Sequence, residues 1–213
     1  MPESSHVSDA DVLAAFNEID EDQASGDAPV ADDGWRDSTD VGADAAGAAW
    51  AEAGREVLLE AARRYHQVVT YKELAQQVQA RTQISTTRLP HYWIGDVLKR
   101  ITDECESRDE PLLSALAVKA DGTVGDGYAA AVTAARGKAP ADGDDHAAAE
   151  RLACHRHFDA EGLPANGGVA ALTPALANRR AREKKVRLEE RPVPICPTCS
   201  MQIPATGVCD NCG

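Results

Sequence analysis

The chain has 213 residues, enough for one or two domains, and a formal net charge of −13. That charge is unevenly placed: residues 1–54 hold 14 acidic residues and one Arg, and the remaining 21 acidic and 21 basic residues cancel. A neutral body binds phosphates strongly only where its cations cluster. No stretch approaches the roughly 18–20 apolar residues that span a bilayer, and the N-terminus lacks a signal-peptide layout. A cytoplasmic protein without a membrane role is therefore expected.

Residues 1–47 are rich in Asp, Ala, Gly and Ser, a composition that predicts a disordered acidic tail. Within it, Ser8 is placed to cap a short helix with Val12, Leu13, Phe16 and Ile19 on one face. That segment reads either as a ligand for a partner's groove or as a transient helix on a solubilising tail.

From Trp50, apolar residues at three- and four-residue spacing (Val57, Leu58, Ala61, Ala62, Tyr65) predict an amphipathic helix to His66. Val68 and Val69 are extended, and Thr70-Tyr71-Lys72-Glu73 is a capping box. The helix it opens buries Leu74, Ala75 and Val78. Pro90 breaks the pattern, and a second helix from near His91 packs Ile94, Val97, Leu98 and Ile101. Two helices about a turn suggest a helix-turn-helix. Leu112–Val118 reads as a buried strand, followed by Asp121-Gly122 and Gly125-x-Gly127 turns and Tyr128. Together these predict a winged helix over 48–135.

The run Val69-Thr70-Tyr71-Lys72-Glu73-Leu74-Ala75, then Ile94-Gly95-Asp96-Val97-Leu98, then Leu113-Ser114-Ala115-Leu116-Ala117-Val118 through Asp121-Gly122 to Tyr128, resembles the C-terminal domain of alkylguanine-DNA alkyltransferases and the non-enzymatic alkyltransferase-like proteins. The resemblance covers about a third of the chain. Laid on the family's P-C-H-R motif, Ser114 stands at the acceptor cysteine, Ala115 at the histidine and Leu116 at the arginine. The resemblance thus implies a DNA-binding shape without alkyl transfer. It places Tyr71 where a family tyrosine helps distort the strand, and Tyr92 where a family arginine replaces the flipped base. Trp93 reads as core, and a catalytic Ser114 is not expected, since no His and acid stand nearby.

Residues 136–192 form a helical extension. It includes the stretch His146–Phe158, in which Cys154 reads as core and the flanking histidines as exposed. A basic helix, Pro174–Glu190, follows. The candidate nucleic-acid contacts are Tyr71, His91, Tyr92, Lys99, Arg100, Arg179, Arg180, Lys184 and Lys185.

The last segment, 193–213, carries Cys196-Pro197-Thr198-Cys199 and Cys209-Asp210-Asn211-Cys212-Gly213. Two Cys-x-x-Cys pairs nine residues apart predict a short four-cysteine zinc ribbon, in which Cys196, Cys199, Cys209 and Cys212 hold one structural Zn²⁺. Four thiolates leave no open coordination position for chemistry.

The expected whole is mainly α with a small β wing: an acidic tail, a winged helix-turn-helix, a helical extension and a zinc ribbon. The expected function is non-catalytic binding of double-stranded DNA, with RNA as a second option. The competing expectation is a protein–protein adaptor for transcription or translation machinery, working through tail and ribbon.

Overall fold

The structure, a computed structural model, describes residues 34–189, 195–204 and 207–213. The tail helix expected around Val12, Leu13, Phe16 and Ile19 lies outside them. The described part is mainly helical, with four strands of two residues each.

Order begins earlier than the sequence suggests. Strand β1 (Arg36–Asp37) pairs in parallel with β3 (Ile84–Ser85), the short helix α1 (Ser38–Val41) follows, and helix α2 runs Ala43–Ala62. Residues 43–49 resemble an acidic tail in composition, but alanine is the best helix former and Asp44 sits in the first turn, where a carboxylate favours the helix dipole. Ala46 and Trp50 are then fully committed to the core at 0 % and 4 % exposure.

Helix α2 is the centre of the body. Helix α3 (Tyr71–Thr82) and helix α4 (Ile94–Ser107) both pack on it. The capping box of α3 forms as expected: Glu73 N–H donates to Thr70 Oγ1 at 3.2 Å, and Thr70 N–H donates to Glu73 Oε2 at 2.8 Å. Helix α3 buries Leu74, Ala75 and Val78, and α4 buries Ile94, Val97, Leu98 and Ile101, all at one-face helical spacing. Their meeting point is Gly54. A Cβ there would stand 3.2 Å from Ile101, 3.4 Å from Val78 and 3.6 Å from Val97, so its absence lets two helices approach one turn of α2. A 3₁₀ turn, Pro90–Tyr92, leads into α4. Trp93 is core as expected, 6 % exposed, its ring 4.4 Å from that of Trp50. Trp50 Nε1–H donates to Ile84 O at 3.1 Å, tying the core to the β1–β3 pair.

Two expectations need correction. Leu112–Val118 is not one strand: Leu113–Leu116 is a 3₁₀ turn, and only Ala117–Val118 (β4) is extended, pairing in parallel with β2 (Val69–Thr70). Nor does an antiparallel wing follow. Gly122, at φ +82°, closes a tight turn, but Val124 N–H then donates to Asp144 and Gly125 N–H to the Tyr71 hydroxyl. Side chains take the donors a second wing strand would use, and the chain enters helix α5 (Tyr128–Arg136). Of the glycines in these turns, Gly125 and Gly127 do not take a positive φ, and Gly127 is in the right-handed region as the α5 N-cap.

Helix α6 (Gly143–His157) packs on the 3₁₀ turn Leu113–Leu116 and on α2, and α7 (Pro174–Glu189) is anchored by Leu176, 1 % exposed. Cys154 is buried as expected, whereas His155, expected to be exposed, is 2 % exposed because its Nδ1 bonds Ala62 O at 2.8 Å. His157 is exposed. Among the described residues, no helix is long and apolar enough to cross a membrane.

Candidate metal centre and candidate nucleic-acid interface

The C-terminal segment folds as two equivalent knuckles. Cys196 opens the first, and Ser200 N–H donates back to Cys196 O at 2.9 Å; Cys209 opens the second, and Gly213 N–H donates back to Cys209 O at 3.0 Å. Ser200 and Gly213 occupy the same place, and both are left-handed, at φ +57° and +81°. Each knuckle turns backbone amides onto its first sulfur. Those of Cys199 and Thr198 lower the Cys196 thiol to about 6, and those of Asn211 and Cys212 lower Cys209. The Cys212 thiol sits among the sulfurs of Cys196, Cys209 and Cys199, and hydrogen bonding toward them raises it to about 11.

All four sulfurs lie within 4.8 Å of one another. The nearest separations are 3.3 Å for Cys196–Cys212, 3.5 Å for Cys199–Cys209 and 3.6 Å for Cys199–Cys212. These are far beyond a disulfide's roughly 2.05 Å and close to the roughly 3.8 Å edge of a tetrahedron with about 2.3 Å metal–sulfur bonds. The four cysteines could therefore hold one metal ion. At the first knuckle a non-glycine pays for positive φ. Ser200→Gly is expected to tighten metal binding by about 1 kcal/mol, roughly fivefold, in a competitive chelator titration.

The candidate nucleic-acid residues fall in four places. Tyr71, at the start of α3, is half-buried; its hydroxyl accepts Gly125 N–H at 3.0 Å, and burial raises its pKa. It clamps a loop. His91 and Tyr92 sit together on the 3₁₀ turn, rings 4.0 Å apart, with Tyr92 61 % exposed. Lys99 and Arg100 are exposed on α4 beside a cleft of about 400 Å³ that Trp50, Arg88, Trp93 and Asp96 also line. Lys99 pairs with Asp103 at 2.6 Å, and Arg100 pairs with Asp44.

On α7, Arg179 pairs with Asp121 at 2.7 Å, while Arg180 reaches Asp145 at 2.7 Å and Asp142 at 2.9 Å. These two arginines moor the helix to the body. Asp121 is held well below the usual carboxylate range by the Thr123 hydroxyl and amide, then by Arg179. Beyond them, Lys184 and Lys185 are exposed, as is every residue from Ala181 to Arg187.

Ser114 is 5 % exposed, with its Oγ 2.8 Å from Thr102 Oγ1. One feature is missed by reading the sequence: Arg151 and His155, four residues apart on α6, are both buried and line a second cavity. The sole signal was their shared helix face. Comparisons with protein-family models, curated proteins and solved structures find no match to this chain.

Proposed function

We propose that this is a non-catalytic nucleic-acid-binding protein, with double-stranded DNA as its ligand and one structural Zn²⁺ in the four-cysteine ribbon. The observation that carries the reading is α7. From Ala181 to Arg187 it is exposed at every position and holds Arg182, Lys184, Lys185 and Arg187 against Glu183 alone. A helix that buries nothing there presents its cations at the surface, where a polyanion can reach them. The neighbouring Arg179 and Arg180 hold its base in place rather than gripping phosphates.

An alkyltransferase-like helix-turn-helix, without the expected wing, is the finer part of the proposal. It is supported by the α2–α3–α4 arrangement, with α4 entered through the exposed His91–Tyr92 pair, a stacking platform for a base. The absence of catalysis is supported by Ser114 at the acceptor position, buried and bonded to Thr102.

Fluorescence anisotropy of the zinc-loaded chain on duplex DNA across a salt series tests this. About four phosphate contacts predict a slope of roughly −4 in log K against log salt. Replacing Arg182, Lys184, Lys185 and Arg187 by Ala is expected to flatten that slope nearly to zero. Tyr92→Ala should weaken single-stranded more than duplex binding. Salt-independent binding, or an unchanged slope in the fourfold variant, counts against the reading.

A second reading has its own support. Ile195, Met201 and Val208 on the ribbon are 65 %, 58 % and 57 % exposed. Apolar side chains on so small a module suit a protein partner. No DNA binding at low salt would move the assignment to an adaptor.

A further inference from the structure

A cavity of about 350 Å³ lies between the segment following α2, helix α6 and the loop before α7. Arg151 lies in its wall and is 5 % exposed. Its Nη1 donates to Ala115 O at 3.1 Å and its Nη2 to Ala171 O at 3.3 Å. Among the described residues no carboxylate pairs with it. The other buried arginine, Arg55, is 7 % exposed and pairs with Glu110 at 2.7 Å and Glu104 at 3.3 Å. A guanidinium has five N–H donors, so three of Arg151's remain after its two carbonyl bonds.

Asp144, whose charge reaches Arg151 from a distance, already accepts Val124 N–H at 2.8 Å and lies 3.8 Å from Arg180. Burial lowers the Arg151 pKa, the cost of a cation that no neighbour neutralises. One turn further along the same helix face, His155 Nδ1 faces Ala62 O at 2.8 Å. A carbonyl only accepts, so Nδ1 carries the proton; burial keeps the ring neutral.

Apart from Tyr65 and His66 the rest of the lining is apolar, chiefly Val68, Leu152, Leu172 and Pro174. The far wall is fixed in advance. Tyr65 Oη accepts Val169 N–H at 3.2 Å, and Arg156 donates to Gly167 O at 2.7 Å and to Gly168 O at 3.1 Å. The wall is so close that a Cβ on Gly168 would meet Tyr65 Oη at 2.5 Å.

We propose that this cavity binds a small monocarboxylate with an apolar body, its carboxylate on Arg151 and its body against Val68, Leu152, Leu172 and Pro174. One unneutralised guanidinium balances one negative charge, and its planar fork matches a carboxylate. The volume lies at the small end of ligand pockets. A bare inorganic anion would leave the apolar walls unsatisfied.

The test is calorimetric titration of the full chain with hexanoate and benzoate, using hexanamide and benzamide as uncharged counterparts and sodium phosphate as a bare anion. The expected result is saturable one-to-one binding of at least one carboxylate, with its amide at least about tenfold weaker and phosphate without effect. Arg151→Met should weaken the carboxylate by at least about tenfold. Because that change also removes two buried hydrogen bonds, Ala171→Trp is the companion: it fills the cavity while keeping Arg151 and the Ala171 carbonyl. Loss of binding with an unchanged circular dichroism spectrum is expected. In NMR the His155 ring protons should shift with the bound carboxylate in the parent and stay still in Ala171→Trp. The proposal is overturned if neither carboxylate binds below about 10 mM, if acid and amide bind equally, if phosphate binds as well as the carboxylates, or if Ala171→Trp binds like the parent.

Discussion

Chelating the metal is expected to unfold residues 195–213 and leave the helical body intact. The reason is that the ribbon has no other core: Cys196 and Cys209, at 5 % and 7 % exposure, are its only buried hydrophobic residues among those described, and both are ligands. On the proposed zinc assignment, binding of order 10–16 kcal/mol would supply the folding free energy of the segment. Metal analysis should find one zinc per chain in the parent and none in Cys209→Ser. Amide NMR signals of 195–213 should collapse on chelation while those of α2 to α6 persist. Acid should act in the same direction. Cys196, at about 6, is already a thiolate at neutral pH, whereas Cys212, at about 11, must give up its proton when metal arrives. Each proton released makes apparent affinity rise tenfold per pH unit, so it should fall at least that steeply on acidification and more steeply below pH 6, where Cys196 also protonates. Ribbon signals that survive chelation would sink the assignment.

Truncating Glu150 is expected to cost the body about 3 kcal/mol. This carboxylate is 8 % exposed, accepts Leu112 N–H at 3.0 Å and takes Arg136 Nη1 at 2.6 Å. It thereby ties α6 to the segment before the 3₁₀ turn and to the end of α5. In Glu150→Ala the buried Leu112 amide loses its acceptor, and Arg136 keeps only Glu106, at 2.9 Å. In Glu150→Gln the side-chain carbonyl still accepts from Leu112, so roughly half the loss is expected. Urea unfolding followed by circular dichroism separates the two. Equal losses would mean that the Leu112 bond contributes nothing. Glu106→Gln, at the more exposed end of the network, should cost less than about 1 kcal/mol.

The features legible in the sequence were those fixed by neighbours in the chain. The Thr70–Glu73 box needs only its own four residues. The knuckles follow from cysteine spacing, and the buried faces of α3 and α4 from periodicity. What stayed hidden depended on distant partners. Leu112–Val118 is a short apolar run whose periodicity cannot separate strand from 3₁₀ turn, and only the β2 partner decides that its last two residues are extended. The mooring of Arg179 and Arg180 by Asp121, Asp142 and Asp145 joins residues up to 58 apart, so a basic stretch read as phosphate-gripping is partly engaged inside the molecule. The Arg151 cavity was invisible because nothing local distinguishes an arginine buried without an acid from one in solvent.

The two parallel pairs, Arg36–Asp37 with Ile84–Ser85 and Val69–Thr70 with Ala117–Val118, carry a consequence for how the chain can be made and cut. The loops they close overlap, since Val69 lies inside the first and Ile84 inside the second. During synthesis neither ladder can complete until residues well past the helices it encloses have emerged, and closing such loops costs entropy before any contact is gained. The stretch from Arg36 to Val118 is therefore expected to fold and unfold as one cooperative unit. A fragment ending between Val69 and Val118 leaves at least one strand unmatched, so any dissection that hopes for a folded piece has to place its ends outside that interval.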